Sequence, residues 1–119
     1  MIQIELREKG ERFCCRAQGH ADYAQEGEDI VCAAVSSLLW AMKLALARLQ
    51  REGRGEILSQ ELAPGRAELC FCARGDGRIR ARELWRTVGD GLCFVEEEFP
   101  QCVKVHRTAP KGAERGECA

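Results

Sequence analysis

Apolar and polar residues alternate strictly at the start of the chain. Ile2, Ile4 and Leu6 alternate with Gln3, Glu5 and Arg7, and a period of two predicts a strand with one wet face. Glu8-Lys9-Gly10-Glu11 reads as a turn. Phe13, Cys15 and Ala17 then alternate with Arg12, Cys14, Arg16 and Gln18. That predicts a second strand closing a hairpin, with Cys15 toward the core and Cys14 outward. After a polar loop over residues 19–29 the period changes. Val31, Ala34, Val35, Leu38, Met42, Ala45, Leu46 and Leu49 recur at steps of three and four, so a helix is expected to about Arg51. Asp29 stands at its N-cap position and Gly53 at its stop.

The alternation resumes further on. Glu56 to Leu62 and Arg66 to Arg74 read as two strands around the turn pair Pro64-Gly65. On the second of these, Glu68, Cys70, Cys72 and Arg74 share the polar face. Leu84, Trp85, Val88, Leu92, Val95 and Phe99 outline a second helix from about Arg80 to Glu98, with Gly89 and Gly91 weakening it and Pro100 ending it. Cys102 to Arg107 is a last short strand that turns Val103 and Val105 inward and His106 outward. Thr108 to Ala119 has no period and reads as a flexible tail. The expected organisation is one domain over residues 1–107 followed by that tail, 108–119.

The order is therefore strand, strand, helix, strand, strand, helix, strand. Each strand has one apolar face and each helix one apolar stripe. The expectation is an α+β two-layer sandwich, with both helices on one face of a mixed or antiparallel sheet.

Composition changes this picture little. At 119 residues and 45% hydrophobic content the chain can bury a single core without staples. A net charge of −1 lacks the electrostatic footprint of a nucleic-acid binder, so no direct nucleic-acid partner is expected. No signal peptide and no run long enough for a membrane span is read, so a cytoplasmic protein with no membrane partner is the expectation. Eight cysteines sit at positions 14, 15, 32, 70, 72, 93, 102 and 118. Their spacing fits neither paired zinc knuckles nor, without an export signal, a disulfide framework. No metal and no cofactor is expected.

The chemistry concentrates between Gly19 and Ser36. With Asp29 as cap, Cys32 falls in the first helical turn, where unpaired N–H groups favour a thiolate or a developing oxyanion. His20, at the end of the second strand, is the candidate base. The bland alternatives stand beside these readings: a small cysteine packing a helix start, a turn histidine. Asp29 is a cap that could also orient His20. Ser36 lies one turn beyond Cys32, either lining a site or bonding back to the Cys32 carbonyl. Tyr23 is a surface aromatic or part of a lid. Asp22, Glu26 and Glu28 would make that lid acidic, with Gly27 as its hinge.

Gly19-His20-Ala21, Tyr23-Ala24, Gly27, the run Asp29-Ile30-Val31-Cys32-Ala33-Ala34-Val35-Ser36, and Phe99-Pro100-Gln101-Cys102-Val103-Lys104-Val105 resemble the signature of the Prp family of ribosomal-processing cysteine proteases. The resemblance implies a cysteine endopeptidase that removes a short N-terminal extension from bacterial ribosomal large-subunit protein twenty-seven during ribosome assembly. It implies a catalytic dyad of His20 and Cys32, supporting roles for Gly19, Asp29 and Ser36, and a substrate loop containing Ala21, Asp22, Tyr23 and Gly27. It also implies an apolar pocket near the thiol and a homodimer. Two rivals are a non-catalytic ribosome-assembly factor that only binds the ribosomal protein, and a thiol-rich metal- or redox-responsive module.

Overall fold

In a computed structural model, residues 1–25 and 29–108 are described. The alternating segments form β1 (Ile2–Lys9), β2 (Arg12–Gln18), β3 (Gly55–Ala63), β4 (Arg66–Ala73) and β5 (Val103–Thr108). The 3.6-period segments form α1 (Ile30–Arg51) and α2 (Gly77–Glu98). The five strands make one mixed sheet in the order β3-β4-β2-β1-β5. Only β1 and β5 pair in parallel; the other three ladders are antiparallel.

The topology follows from the connections. Hairpins join β1 to β2 and β3 to β4. The two helices are crossovers between parallel strands, β2 to β3 and β4 to β5, and crossovers of one hand lay both helices on the same face. That face holds the core. Ile4, Leu6, Phe13, Cys15, Leu69, Phe71, Val103 and Val105 project from the sheet into the buried sides of α1 and α2. Trp85 anchors α2 there, fully buried against Phe13 at 5.6 Å between ring centroids, and its indole N–H donates to the Cys14 carbonyl at 3.0 Å. Cys15 lies in the core and Cys14 on the outer face, as the alternation requires.

Three details depart from the sequence reading. First, α1 keeps the expected bounds but is more apolar than the sequence reading allowed, which found no run long enough for a membrane span. By length and composition it could cross a membrane, with a mean hydropathy of 2.0 over an 18-residue window. Its stripe of Val31, Val35, Leu39, Met42, Leu46 and Leu49 is buried in the core cluster. Second, α2 begins at Gly77 rather than near Arg80. A β-carbon there would lie 1.8 Å from the Arg54 carbonyl oxygen, so only glycine lets the helix start against the α1–β3 connection. Third, Thr108 belongs to β5, its hydroxyl donating to the Leu6 carbonyl at 3.4 Å. The rest of the expected tail lies outside the described residues.

Gly89 and Gly91 also acquire a reason. The Arg107 guanidinium lies over Gly89, where it donates to Asp90 Oδ1 at 3.0 Å and to the Arg86 carbonyl at 3.3 Å. Leu38 of α1 packs onto Gly91. These glycines are contact points between elements, where helix propensity yields to packing.

Candidate active site

The chain turns sharply at the end of β2. Gly19 adopts φ +102°, and a β-carbon there would meet the Met1 carbonyl oxygen at 2.2 Å. No other residue fits this crossing of the two chain segments. Its N–H donates to the Gly65 carbonyl at 2.9 Å, which ties the end of β2 to the β3–β4 turn. His20 follows, exposed to solvent, with its ring laid on Gly65. Gly65 has φ +75°, and a β-carbon on it would stand 2.7 Å from His20 Nε2 and 3.0 Å from Cε1. The turn thus forms a flat support for the imidazole. The sequence marks Pro64-Gly65 as a turn, but nothing local in it announces contact with a residue so far away in the chain.

Beyond His20, residues 21–24 and 29 of the loop are tied to their surroundings. Ala21, expected in the substrate loop, is buried in the core. Asp22 takes φ +57° and pairs with the Met1 ammonium at 3.6 Å. Tyr23 packs edge-on against Phe99, with ring centroids 5.2 Å apart. The expected hinge, Gly27, lies outside the described residues, as do Glu26 and Glu28.

Asp29 closes the loop. Its Oδ1 accepts from the N–H groups of Val31 at 2.9 Å and Cys32 at 3.0 Å; its Oδ2 accepts from Tyr23 at 2.9 Å and Ala24 at 3.2 Å. Burial alone would raise its pKa. The bonds from Cys32, Ala24, Tyr23 and Val31 outweigh it and hold the carboxyl below the usual carboxylate range. Both oxygens are therefore spent on backbone, and the carboxylate organises the loop and the helix start rather than orienting His20. The Ala33 N–H also goes to the Asp29 carbonyl, at 3.1 Å. The first-turn donors at Val31, Cys32 and Ala33 are thus already engaged, so the expectation that they would cradle an oxyanion is not met. The electrostatic benefit of the helix end goes first to Asp29.

Cys32, partly buried in the first turn of α1, and His20 line the same groove of about 690 Å³. Asp29, Gly19 and Ser36 line it too. The Ser37 hydroxyl bonds back, to the Ala33 carbonyl at 2.8 Å, whereas Ser36 borders the groove. The opposite wall is the β3–β4 turn, Leu62 to Ala67, and Val35, Leu39 and Trp40 make much of the lining apolar. Trp40, about half exposed, carries the Lys43 ammonium 4.5 Å from its ring centroid. Neither Trp40 nor the β3–β4 turn was singled out for the site from sequence. Trp40 sits two turns beyond Cys32 and could have been found by extending the Cys32–Ser36 spacing.

Among the described residues no group of three or more His, Cys, Asp or Glu side chains could hold a metal ion. The described chemistry is a thiol, an imidazole and a partly apolar groove, a set of groups compatible with nucleophilic chemistry.

The family model described as cysteine protease Prp matches residues 1–104. The fold is similar to that of the essential ribosomal processing protease Prp from Staphylococcus aureus in complex with a covalently linked product peptide. That match has a TM-score of 0.70 and 23% identity, covering 91% of this chain and 100% of the other. The same protease in complex with a substrate peptide gives a TM-score of 0.64 at 18% identity, with coverage of 91% and 100%. The Streptococcus mutans protein SMU.848 gives a TM-score of 0.64 at 21% identity, with coverage of 91% and 94%. No curated protein matches the sequence.

Proposed function

We propose that this chain, which belongs to the cysteine protease Prp family, cuts a ribosomal-protein precursor with Cys32 as the nucleophile and His20 as its base. The observation that carries the assignment of roles is the shared groove: the thiol and the imidazole enter it from different elements, and an apolar trough runs past both. In the proposed reaction His20 removes the Cys32 thiol proton as the sulfur attacks the scissile carbonyl. His20 then gives that proton to the leaving amine, and water releases the acyl group from the sulfur.

Within the same proposal, the substrate is the N-terminal extension of bacterial ribosomal large-subunit protein twenty-seven. The similar Staphylococcus aureus ribosomal processing protease, solved with a substrate peptide and with a covalently linked product peptide, supports this reading. A ribosomal-protein substrate processed during ribosome assembly supports a cytoplasmic location within the same proposal. Large exposed apolar side chains, among them Trp40, Leu44 and Phe94, support a homodimer; light scattering at micromolar concentration tests that point separately.

The deciding experiment incubates the precursor with wild-type enzyme, Cys32→Ala and His20→Ala, and follows its mass. Wild type should remove one N-terminal fragment. Each variant should lose at least about 100-fold in rate while keeping its thermal midpoint within a few degrees. Full cleavage by either variant would remove that residue from the mechanism.

A further inference from the structure

A second pair of thiols stands on the outer face of the sheet, away from the groove. Cys14 of β2 and Cys70 of β4 are directly opposed in the antiparallel ladder. Both are free thiols. Directly opposed residues have Cα atoms about 4.5–5.5 Å apart, inside the window of about 4.4–6.8 Å that a disulfide spans. The neighbouring cysteines are excluded by the same register. Cys15 pairs with Leu69 and points into the core, while Cys72 pairs with Arg12 and Glu56. From Cys14, Cys72 is a diagonal neighbour at roughly 7–8 Å.

We infer that Cys14 and Cys70 form a redox-sensitive cross-strand pair, a modification site for small-molecule disulfides that staples β2 to β4. Cys14 is half-buried and Cys70 buried, so Cys14 attacks first. Its thiolate displaces one thiolate from the small-molecule disulfide, forming a mixed disulfide. Cys70 then attacks the Cys14 sulfur, its proton passing to the second departing thiolate. Two protein thiols are oxidised and one small disulfide is reduced to two thiols.

Reactivity is restrained by the site itself. Burial pushes the Cys14 thiol up to about 12, and the neighbouring Cys70 adds to that; Arg16 and Arg12 act in the opposite sense. The pair is therefore slow near neutral pH, and its rate should rise about tenfold per pH unit from pH 7 to 9. The staple would join the two strands whose ends make the Gly19–Gly65 contact beneath His20.

The test exposes the intact chain to glutathione disulfide at pH 8.5, alkylates the remaining thiols and digests with trypsin without reductant. The expected product links the peptide 13–16 to the peptide 67–74, with Cys15 and Cys72 alkylated. Cys14→Ser and Cys70→Ser should each abolish the link, and Cys72→Ser should keep it. The linked protein should melt about 5 °C higher, reversibly on reduction. Full alkylation of both peptides, or a link through Cys15 or Cys72, would overturn the assignment. A lower melting point on linking would overturn the bracing role.

Discussion

At the scale of single residues, two backbone features do the positioning. The His20 ring rests on Gly65 so closely that any side chain there must push it away. Gly65→Asn isolates this effect, because asparagine tolerates a left-handed turn and still carries a β-carbon. Gly10 has a similar φ of +60° in the β1–β2 turn, with open space around it, so Gly10→Asn is the matched control. We expect Gly65→Asn to lower kcat by roughly 10- to 100-fold and to shift the pH profile of kcat. Gly10→Asn should leave both unchanged, and equal activity of the two variants would refute a positioning role. Asp29 makes the second case. Its carboxyl pKa is lowered in the folded state, so its contribution to stability is present above the unfolded value, near 4, and is lost as pH falls through the lower folded value. Asp29→Asn keeps a single acceptor oxygen for four N–H donors. Its melting point should fall at pH 7, and the gap from wild type should narrow as pH drops below about 4. A gap that stays constant down to pH 2 would show that charge is not what Asp29 supplies. Much of this was legible in advance: His20, Cys32 and the Asp29 cap stand in one short stretch with recognisable local grammar. Gly65 was not, because a contact between the ends of distant strands leaves no periodic mark at either residue.

At the scale of elements, the glycines of α2 show how packing overrides propensity. Gly77 and Gly89 both sit where a β-carbon would collide, but the obstacles differ. At Gly77 the obstacle is the Arg54 backbone carbonyl, at 1.8 Å. It cannot swing aside without moving the α1–β3 connection. At Gly89 it is the side-chain end of Arg107, which can shift by rotation about its own bonds. Gly77→Ala should therefore cost about 1–3 kcal/mol, the range for overpacking a fixed site. Gly89→Ala should fall within about 1 kcal/mol of wild type, since the gain in helix propensity offsets the displaced guanidinium. Urea denaturation measures both, and equal losses would mean that Arg107 is as fixed as the backbone. The strand and helix periods gave the order of elements and the two-layer architecture in advance because every core strand alternates and each helix has one buried stripe. Helix starts were less legible. Asp29 caps with its side chain and could be read directly; Asp76, at the start of α2, makes no side-chain cap bond, so nothing local marked the earlier start at Gly77.

At the scale of the whole molecule, the groove belongs to no single element. Its walls come from the end of β2 with Gly19 and His20, the exposed side of α1 from Cys32 to Trp40, and the β3–β4 turn from Leu62 to Ala67, while Ile2 adds the start of β1. These pieces are held together by a few bonds, chiefly Gly19 to Gly65 and Asp29 to the two ends of its loop. A peptide lying in the groove would touch three chain segments at once and so should lower their local opening together. Cys32→Ala stops turnover and allows this to be measured with a peptide spanning the cleavage site. At 10 to 100 times its Kd the peptide should raise the unfolding free energy by about 1.4–2.7 kcal/mol. Amide hydrogen exchange should slow at Gly19–Ala21, at Cys32–Ser36 and at Ala63–Ala67 in parallel. The solvent side of α2, which contributes nothing to the groove, should change only as far as global stability does. Protection confined to one segment would mean that the peptide binds at a single wall and that the groove does not act as one site.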